Sequence, residues 1–166
     1  MTPLLRTFKR EDATRLQQIL NDADMVKFLS SRIPFPYNSE DATWWINEGS
    51  HNGFVRAIDI DGKLVGCVGI TPGVFEYSHC GEIGYWLAKE YWGNGIMTKA
   101  VNQLVEFIFT QTDICRLFAV VFSANRNSQN LLKRCGFERE AILKKAICKN
   151  GVYYDNHQYV KLKSSV

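Results

Sequence analysis

A strand that runs through a glycine pair straight into an amphipathic helix leaves few architectures open. Glu82-Ile83-Gly84-Tyr85-Trp86-Leu87 reads as the core of a strand spanning about His79 to Ala88. Trp92-Gly93-Asn94-Gly95 follows as a turn. A long helix is expected from Asn94 to about Gln111, because Ile96, Ala100, Val101, Leu104, Val105 and Ile108 fall on one stripe at helical spacing. A chain whose hydrophobic period switches from two to 3.6 within a few residues must set a sheet against helices.

The flanking segments extend that picture. Leu4–Phe8 reads as a first strand, Glu11–Asn21 as a helix with Ala13, Leu16, Ile19 and Leu20 on one face, and Asp24–Leu29 as a second helical piece. Ile33–Asn38 is expected as loop, since each proline biases the residue before it away from helix. Ser39 is expected to cap a third helix running through Gly49, with Glu40 and Asp41 in its first turn. Phe54–Ile60 and Leu64–Ile70 read as strands joined at Asp61-Gly62, a strong hairpin signal. Beyond the long helix come a strand at Arg116–Phe122, a helix at Asn125–Cys135 stopped by Gly136, and a hairpin of Phe137–Ile147 with Val152–Leu162 through Asn150-Gly151. The expectation is a mixed α/β sheet covered by helices, with residues 1–166 as a single domain.

Composition narrows the function classes. Four Trp, seven Tyr and ten Phe in 166 residues exclude global disorder. The longest charge-free apolar stretch, Leu64–Phe75, contains Pro72 and three glycines and falls well short of the roughly 20 residues of a membrane span. A net charge of +3 with no run of five like charges argues against nucleic-acid binding. Charges spread through Met1–Leu20 argue against a signal peptide. The five cysteines (Cys67, Cys80, Cys115, Cys135, Cys148) are widely spaced with no C-x-x-C pair, so no zinc site or disulfide framework is expected. Buried reduced thiols and a cytoplasmic location fit that usage.

The glycine turn carries the chemistry. The first backbone N–H groups of a helix lack intrahelical partners, and the helix dipole adds partial positive charge there. Such a turn suits an anion, above all a phosphate. The P-loop pattern G-x-x-x-x-G-K-S/T is absent, and Gly93-Asn94-Gly95-Ile96-Met97-Thr98 supplies only two glycines of a dinucleotide fingerprint. A plain tight turn, with no ligand, uses the same two glycines.

A second cluster, Asn125-Arg126-Asn127-Ser128-Gln129-Asn130-Leu131-Leu132-Lys133-Arg134-Cys135-Gly136-Phe137, follows an apolar strand. Together the two segments resemble the GNAT superfamily of acyl-CoA-dependent N-acyltransferases. Trp92, Gly95 and Met97 stand at the defined positions of its pyrophosphate motif R/Q-x-x-G-x-G/A, with Trp92 and Met97 departing from the pattern. Asn125, Ser128, Leu131, Leu132, Arg134, Gly136 and Phe137 match N-x-x-S-x-x-L-L-x-K/R-x-G-F, typical of the branch that acetylates ribosomal-protein N-termini. The resemblance covers essentially the whole chain.

It implies a single GNAT domain with a mostly antiparallel sheet whose central strands splay, acetyl-CoA as co-substrate, no metal, and direct acetyl transfer to a primary amine. The implied cofactor contacts are Tyr85, Trp86 and Leu87 on the central strand, Trp92 through Thr98 at the turn (Gly93, Asn94, Gly95, Ile96 and Met97 between them), and Asn125, Ser128 and Arg134. Glu82, expected on one strand face with Gly84 and Trp86, is the candidate base. Ser128 is the candidate hydrogen-bond donor to the leaving sulfur. His79, Tyr154 and His157 are weaker candidates: His79 reads more readily as a solvated residue at a strand start, and Tyr154 and His157 on the final strand more readily as packing residues than as lining of the acceptor site. Asn125 also suits a helix N-cap. No cysteine has a readable His partner, which disfavours an acyl-enzyme. The implied acceptor is a protein or peptide N-terminal α-amine. The alternatives are a small-molecule amine or a non-catalytic acyl-CoA sensor. The protein is expected as a monomer or homodimer, without nucleic acid or membrane.

Overall fold

The computed structural model describes residues 1–164. Its strands are β1 (Leu4–Arg6), β2 (Phe54–Ile60), β3 (Lys63–Pro72), β4 (Cys80–Leu87), β5 (Arg116–Phe122), β6 (Glu138–Lys149) and β7 (Val152–Leu162). Its helices are α1 (Ala13–Leu20), α2 (Ala23–Val26), α3 (Ser39–Asn47), α4 (Ile96–Gln111) and α5 (Arg126–Arg134). The strand order is β1-β2-β3-β4-β5-β7-β6. β4 and β5 pair in parallel, while β1–β2, β2–β3, β5–β7 and β6–β7 pair antiparallel. Parallel neighbours need a crossover, and α4 supplies it between β4 and β5. The fold is thus the expected α/β class, mostly antiparallel and flanked by helices.

Packing divides the chain into two compact units. The first comprises Met1–Thr71 and Tyr85–Ala100. Its β2–β3 hairpin turns at Asp61 (φ 52) and Gly62 (φ 83), the two successive left-handed residues that a tight hairpin demands. Leu16, Ile19 and Leu20 of α1, Met25 and Val26 of α2, and Ala42 of α3 pack with Ala57, Leu64, Cys67 and Trp86 in one buried cluster. Beside it, Arg6 on β1 lies between two buried carboxylates, bonding Asp59 on β2 at 2.6 Å and Asp12 at 2.8 Å. Asp12 also accepts the Lys9 N–H at 2.8 Å, and Asp59 accepts the Gly62 N–H at 2.7 Å.

Several boundaries in this unit differ from expectation, the third helix also ending at Asn47 rather than Gly49 and the first helix spanning Ala13–Leu20 rather than Glu11–Asn21. The first strand stops at Arg6, because Arg10–Asp12 forms a 3-10 turn that folds Asp12 back onto Arg6. The third helix is capped by Asn38 rather than Ser39. Asn38 accepts from the Glu40 and Asp41 N–H groups, and Asp41 answers by accepting the Asn38 N–H, a reciprocal cap that Ser39 one residue on cannot make. The second helical piece ends at Val26, short of Leu29.

The second unit comprises Pro72–Gly84 and Val101 onward. Here β5 pairs with β7 from Arg116↔Leu162 to Phe122↔Asn156, and on its other side with β4 through Cys80↔Arg116, Gly81↔Leu117 and Glu82↔Phe118. Leu117, Leu132 and Tyr159 are fully buried. The β6–β7 hairpin turns at Asn150 (φ 51) and Gly151 (φ 77) as its sequence predicts. β6 carries a bulge near Lys145 (φ 51), whose N–H bonds the Asp155 carboxylate at 2.9 Å. Irregular edges of this kind resist edge-to-edge association.

Candidate functional site

The glycine turn lies in the first unit, between the end of β4 and the start of α4. Leaving β4, the Ala88 N–H bonds Val65 O on β3 at 2.8 Å. Gly66 is required next to that bond, because a Cβ there would meet the Trp86 carbonyl oxygen at 2.6 Å. Lys89–Tyr91 forms a 3-10 turn tied down by two ion pairs, Lys89 with Asp24 on α2 and Glu90 with Arg15 on α1. Each cation holds its carboxylate below the ordinary range.

The segment that follows is held by its own side chains. The Trp92 indole N–H donates to the Leu87 carbonyl at 2.7 Å. The Asn94 amide donates to Tyr91 O at 3.3 Å and Trp92 O at 3.2 Å. Gly93 (φ 78) and Gly95 (φ 69) sit in the left-handed region. A Cβ on either would meet nothing within 4 Å, so backbone conformation, not crowding, selects glycine, and the space above both is open.

The long helix begins at Ile96, two residues later than expected, because Gly95 and Asn94 belong to the turn. Its first intrahelical bond runs from the Lys99 N–H to Gly95 O at 3.2 Å. The N–H groups of Ile96 and Met97 therefore have no intrahelical acceptor. The side chains of Ile96 and Met97 are buried, so the bulk of Met97 at the third motif position lies in the core and not over the open turn. Thr98 is half-buried. These features fit an anionic ligand laid against the helix start.

Along β4, Glu82 and Gly84 are exposed, whereas Trp86 is buried in the core cluster of the first unit. Tyr85 is half-buried and Leu87 buried, its carbonyl engaged by Trp92. The structure thus brings Tyr85, Trp86, Leu87 and Trp92–Thr98 together in one unit.

The second unit holds the remaining candidates. Glu82 pairs with Phe118 in the parallel ladder, and its carboxylate has no ion-pair partner among the described residues. Asn125 caps α5, its side-chain oxygen accepting the Ser128 N–H at 3.2 Å. Ser128 is half-buried in the first turn. Arg134 is exposed in the last turn, where a cation complements the helix dipole. Tyr154 packs against Phe122 with ring centroids 5.2 Å apart. His79 is exposed just before β4. Burial lowers the His157 pKa, and its Nδ1 has no hydrogen-bond partner.

All five cysteines are free thiols. Cys67, Cys80 and Cys135 are buried, Cys115 is partly so, and Cys148 is exposed, which departs from the expected burial. Burial raises the Cys67 and Cys135 pKa values, the opposite of what a nucleophilic thiolate needs. Among the described residues no group of three or more His, Cys, Asp or Glu is placed to hold a metal, and no helix is long and apolar enough to cross a membrane. Sequence reading missed the ties from Trp92 to Leu87 and from Arg6 to its two aspartates. Both join residues whose nearness depends on the path of the fold, and no motif marks them.

Residues 4–138 match the Acetyltransferase (GNAT) domain family. The putative ribosomal N-acetyltransferase YdaF of Bacillus subtilis is 27% identical over 166 residues, covering 96% of this chain and 90% of that protein. Spermidine N(1)-acetyltransferase of Escherichia coli is 25% identical over 94% of this chain and 87% of that protein. A shorter match, 32% identical, to the uncharacterized N-acetyltransferase YoaA of Bacillus subtilis spans 58% of this chain and 54% of that protein. Among solved structures, the microcin C7 self-immunity acetyltransferase MccE in complex with acetyl-CoA and AMP superposes with a TM-score of 0.81 at 27% identity, covering 95% of this chain and 91% of that one.

Proposed function

The chain belongs to the GNAT acetyltransferase family, and on that premise we propose that it moves an acetyl group from acetyl-CoA to the N-terminal α-amine of a protein or peptide. The coarser part, an acetyl-CoA-dependent acetyltransferase, follows from the family. The observation that carries the site assignment is the open left-handed turn at Gly93 and Gly95 in front of a helix whose first N–H groups lack intrahelical acceptors. The CoA pyrophosphate is assigned to that turn, and the pantetheine arm to the backbone of Tyr85–Leu87. Whole-length similarity to a putative ribosomal N-acetyltransferase supports the α-amine.

In this reading, residues 1–166 act as one acyltransferase domain. The neutral amine attacks the thioester carbonyl carbon, a C–N bond forms and the C–S bond breaks. The amine proton passes to Glu82, directly or through water, and the sulfur leaves as thiolate with the Ser128 hydroxyl donating a hydrogen bond to it. A strand N–H in Tyr85–Leu87 serves the developing oxyanion. Asn125 holds the start of α5, and Arg134 is assigned to a CoA phosphate. The raised pKa values of Cys67 and Cys135 support direct transfer over an acyl-enzyme.

A polyamine acceptor is the second reading, supported by similarity to a spermidine acetyltransferase. A panel of N-terminal peptides, spermidine and amino-acid amides, followed by thiol release from acetyl-CoA, separates the readings. Peptides are expected to turn over faster. Faster turnover of spermidine would select the second reading, and binding without transfer to any amine would indicate a sensor.

A further inference from the structure

We propose that Trp92 is a positioning residue for donor binding: its indole N–H, bonded to the Leu87 carbonyl, sets the glycine turn so that the α4 N-terminus meets the pyrophosphate. The inference rests on the acetyl-CoA reading above and adds to it a residue that acts through another. The first motif position of the family pattern holds Arg or Gln, and Trp92 stands in its place. Tryptophan offers one polar hydrogen, and here that hydrogen is spent on Leu87 O at 2.7 Å. An indole engaged in this way has no second donor for a phosphate. Its contribution to the donor is therefore indirect.

The geometry shows what the bond does. Leu87 is the last residue of β4, and Trp92 immediately precedes the two glycines. The bond closes the Leu87–Trp92 segment into a loop around the 3-10 turn Lys89–Tyr91. The Trp92 N–H bonds Lys89 O at 3.1 Å and the Tyr91 N–H bonds Ala88 O at 2.9 Å within that loop. Asn94 then draws the Tyr91 and Trp92 carbonyls to its amide. The carbonyls of Leu87, Tyr91 and Trp92 are thereby committed inside the loop.

Beyond it, Gly93 and Gly95 have open space on the side where a Cβ would project. Neither glycine has a side chain to fix its own dihedrals, so the turn depends on its neighbours for rigidity. Trp92 itself is 43% exposed, so its ring is not a principal core element whose loss would unfold the protein. A surface tryptophan with its only donor buried in a backbone bond is explained by the turn it holds.

The test is Trp92→Phe, which keeps an aromatic ring and removes the donor. Kinetics are measured with acetyl-CoA and with S-acetylpantetheine, which lacks the pyrophosphate and nucleotide. The expected result is a KM for acetyl-CoA raised about threefold to tenfold, the scale of one net hydrogen bond. kcat at saturation stays within about twofold, and kcat/KM for S-acetylpantetheine falls clearly less than kcat/KM for acetyl-CoA. Asn94→Ala, which removes the second tie, is expected to show the same donor-selective loss and serves if Trp92→Phe fails to fold. Equal losses with both donors, or no loss with either, would overturn the positioning role. A wild-type protein that neither binds nor uses acetyl-CoA would instead overturn the reading on which the role rests.

Discussion

The side-chain oxygen of Asn125 accepts the backbone N–H of Ser128 at 3.2 Å, so Asn125 caps the start of α5 through the Ser128 backbone. The two residues are therefore separable. Asn125→Ala is expected to cost about 1 kcal/mol of stability, within the 0.5–2 kcal/mol usual for a lost cap, and denaturant unfolding measures it. Ser128→Ala is expected to keep the cap and to lower kcat at saturating acetyl-CoA about tenfold to thirtyfold. A Ser128→Ala protein with unchanged kcat but a reduced unfolding midpoint removes Ser128 from the chemistry.

The glycine turn predicts a split between stability and binding. At Gly95, with φ 69, any side chain meets open space but a disfavoured backbone conformation. Gly95→Ala is expected to cost about 1–2 kcal/mol of stability, from the left-handed conformation alone. Gly95→Val places a branched side chain over the proposed phosphate position and is expected to weaken acetyl-CoA by more than tenfold. Calorimetric titration of both variants decides: wild-type affinity in Gly95→Val would remove the pyrophosphate from this turn.

The ion triad of the first unit gives a prediction independent of function. Arg6 serves two buried carboxylates, and its removal leaves both without their cation. Arg6→Ala is expected to destabilise by about 3–5 kcal/mol, as for a broken buried pair. Asp59→Asn, which keeps an acceptor for Gly62, should cost less. Chemical denaturation of the two variants checks the order.

His157 predicts part of the acid response. Burial holds its pKa below the ordinary 6.5, so near and below that value the unfolded chain binds more protons than the folded one. This histidine's stabilisation is full above about pH 6.5 and is lost as pH falls through the lower folded value. His157→Gln should flatten the slope of unfolding free energy against pH in that window. An unaltered slope would show that other groups set it.

Much of the fold was legible because local chemistry dictates it. Asp61-Gly62 and Asn150-Gly151 specify hairpins through two successive left-handed residues, and both turns form where those pairs stand. The stripe from Ile96 to Ile108 predicts α4, and only its start moves, since a turn needing two glycines at positive φ ends later than hydrophobic periodicity shows. The Asn38 cap was missed by one residue because Asn and Ser are both good caps. The burial of Trp86 escaped the alternation rule, as strand alternation does not say which neighbours cover the end of a strand. The candidate site was legible as motifs. The bonds that hold it, Trp92 to Leu87 and Asn94 to Tyr91 and Trp92, arise only once the chain has turned.

The central claim is acetyl transfer from acetyl-CoA to an α-amine. An α-amine titrates near 7.7–8.0 and a lysine side chain near 10.4, so at neutral pH presenting a free lysine base costs about 3–4 kcal/mol more. The most direct test is a single peptide carrying both a free N-terminus and an internal lysine, incubated with the protein and acetyl-CoA at pH 7.5 and mapped by fragmentation mass spectrometry. The account predicts one acetyl group, on the N-terminal nitrogen, and a slower reaction at acidic pH with Glu82→Gln. Acetyl found on the lysine, or no acetylated peptide while spermidine is consumed, would contradict it.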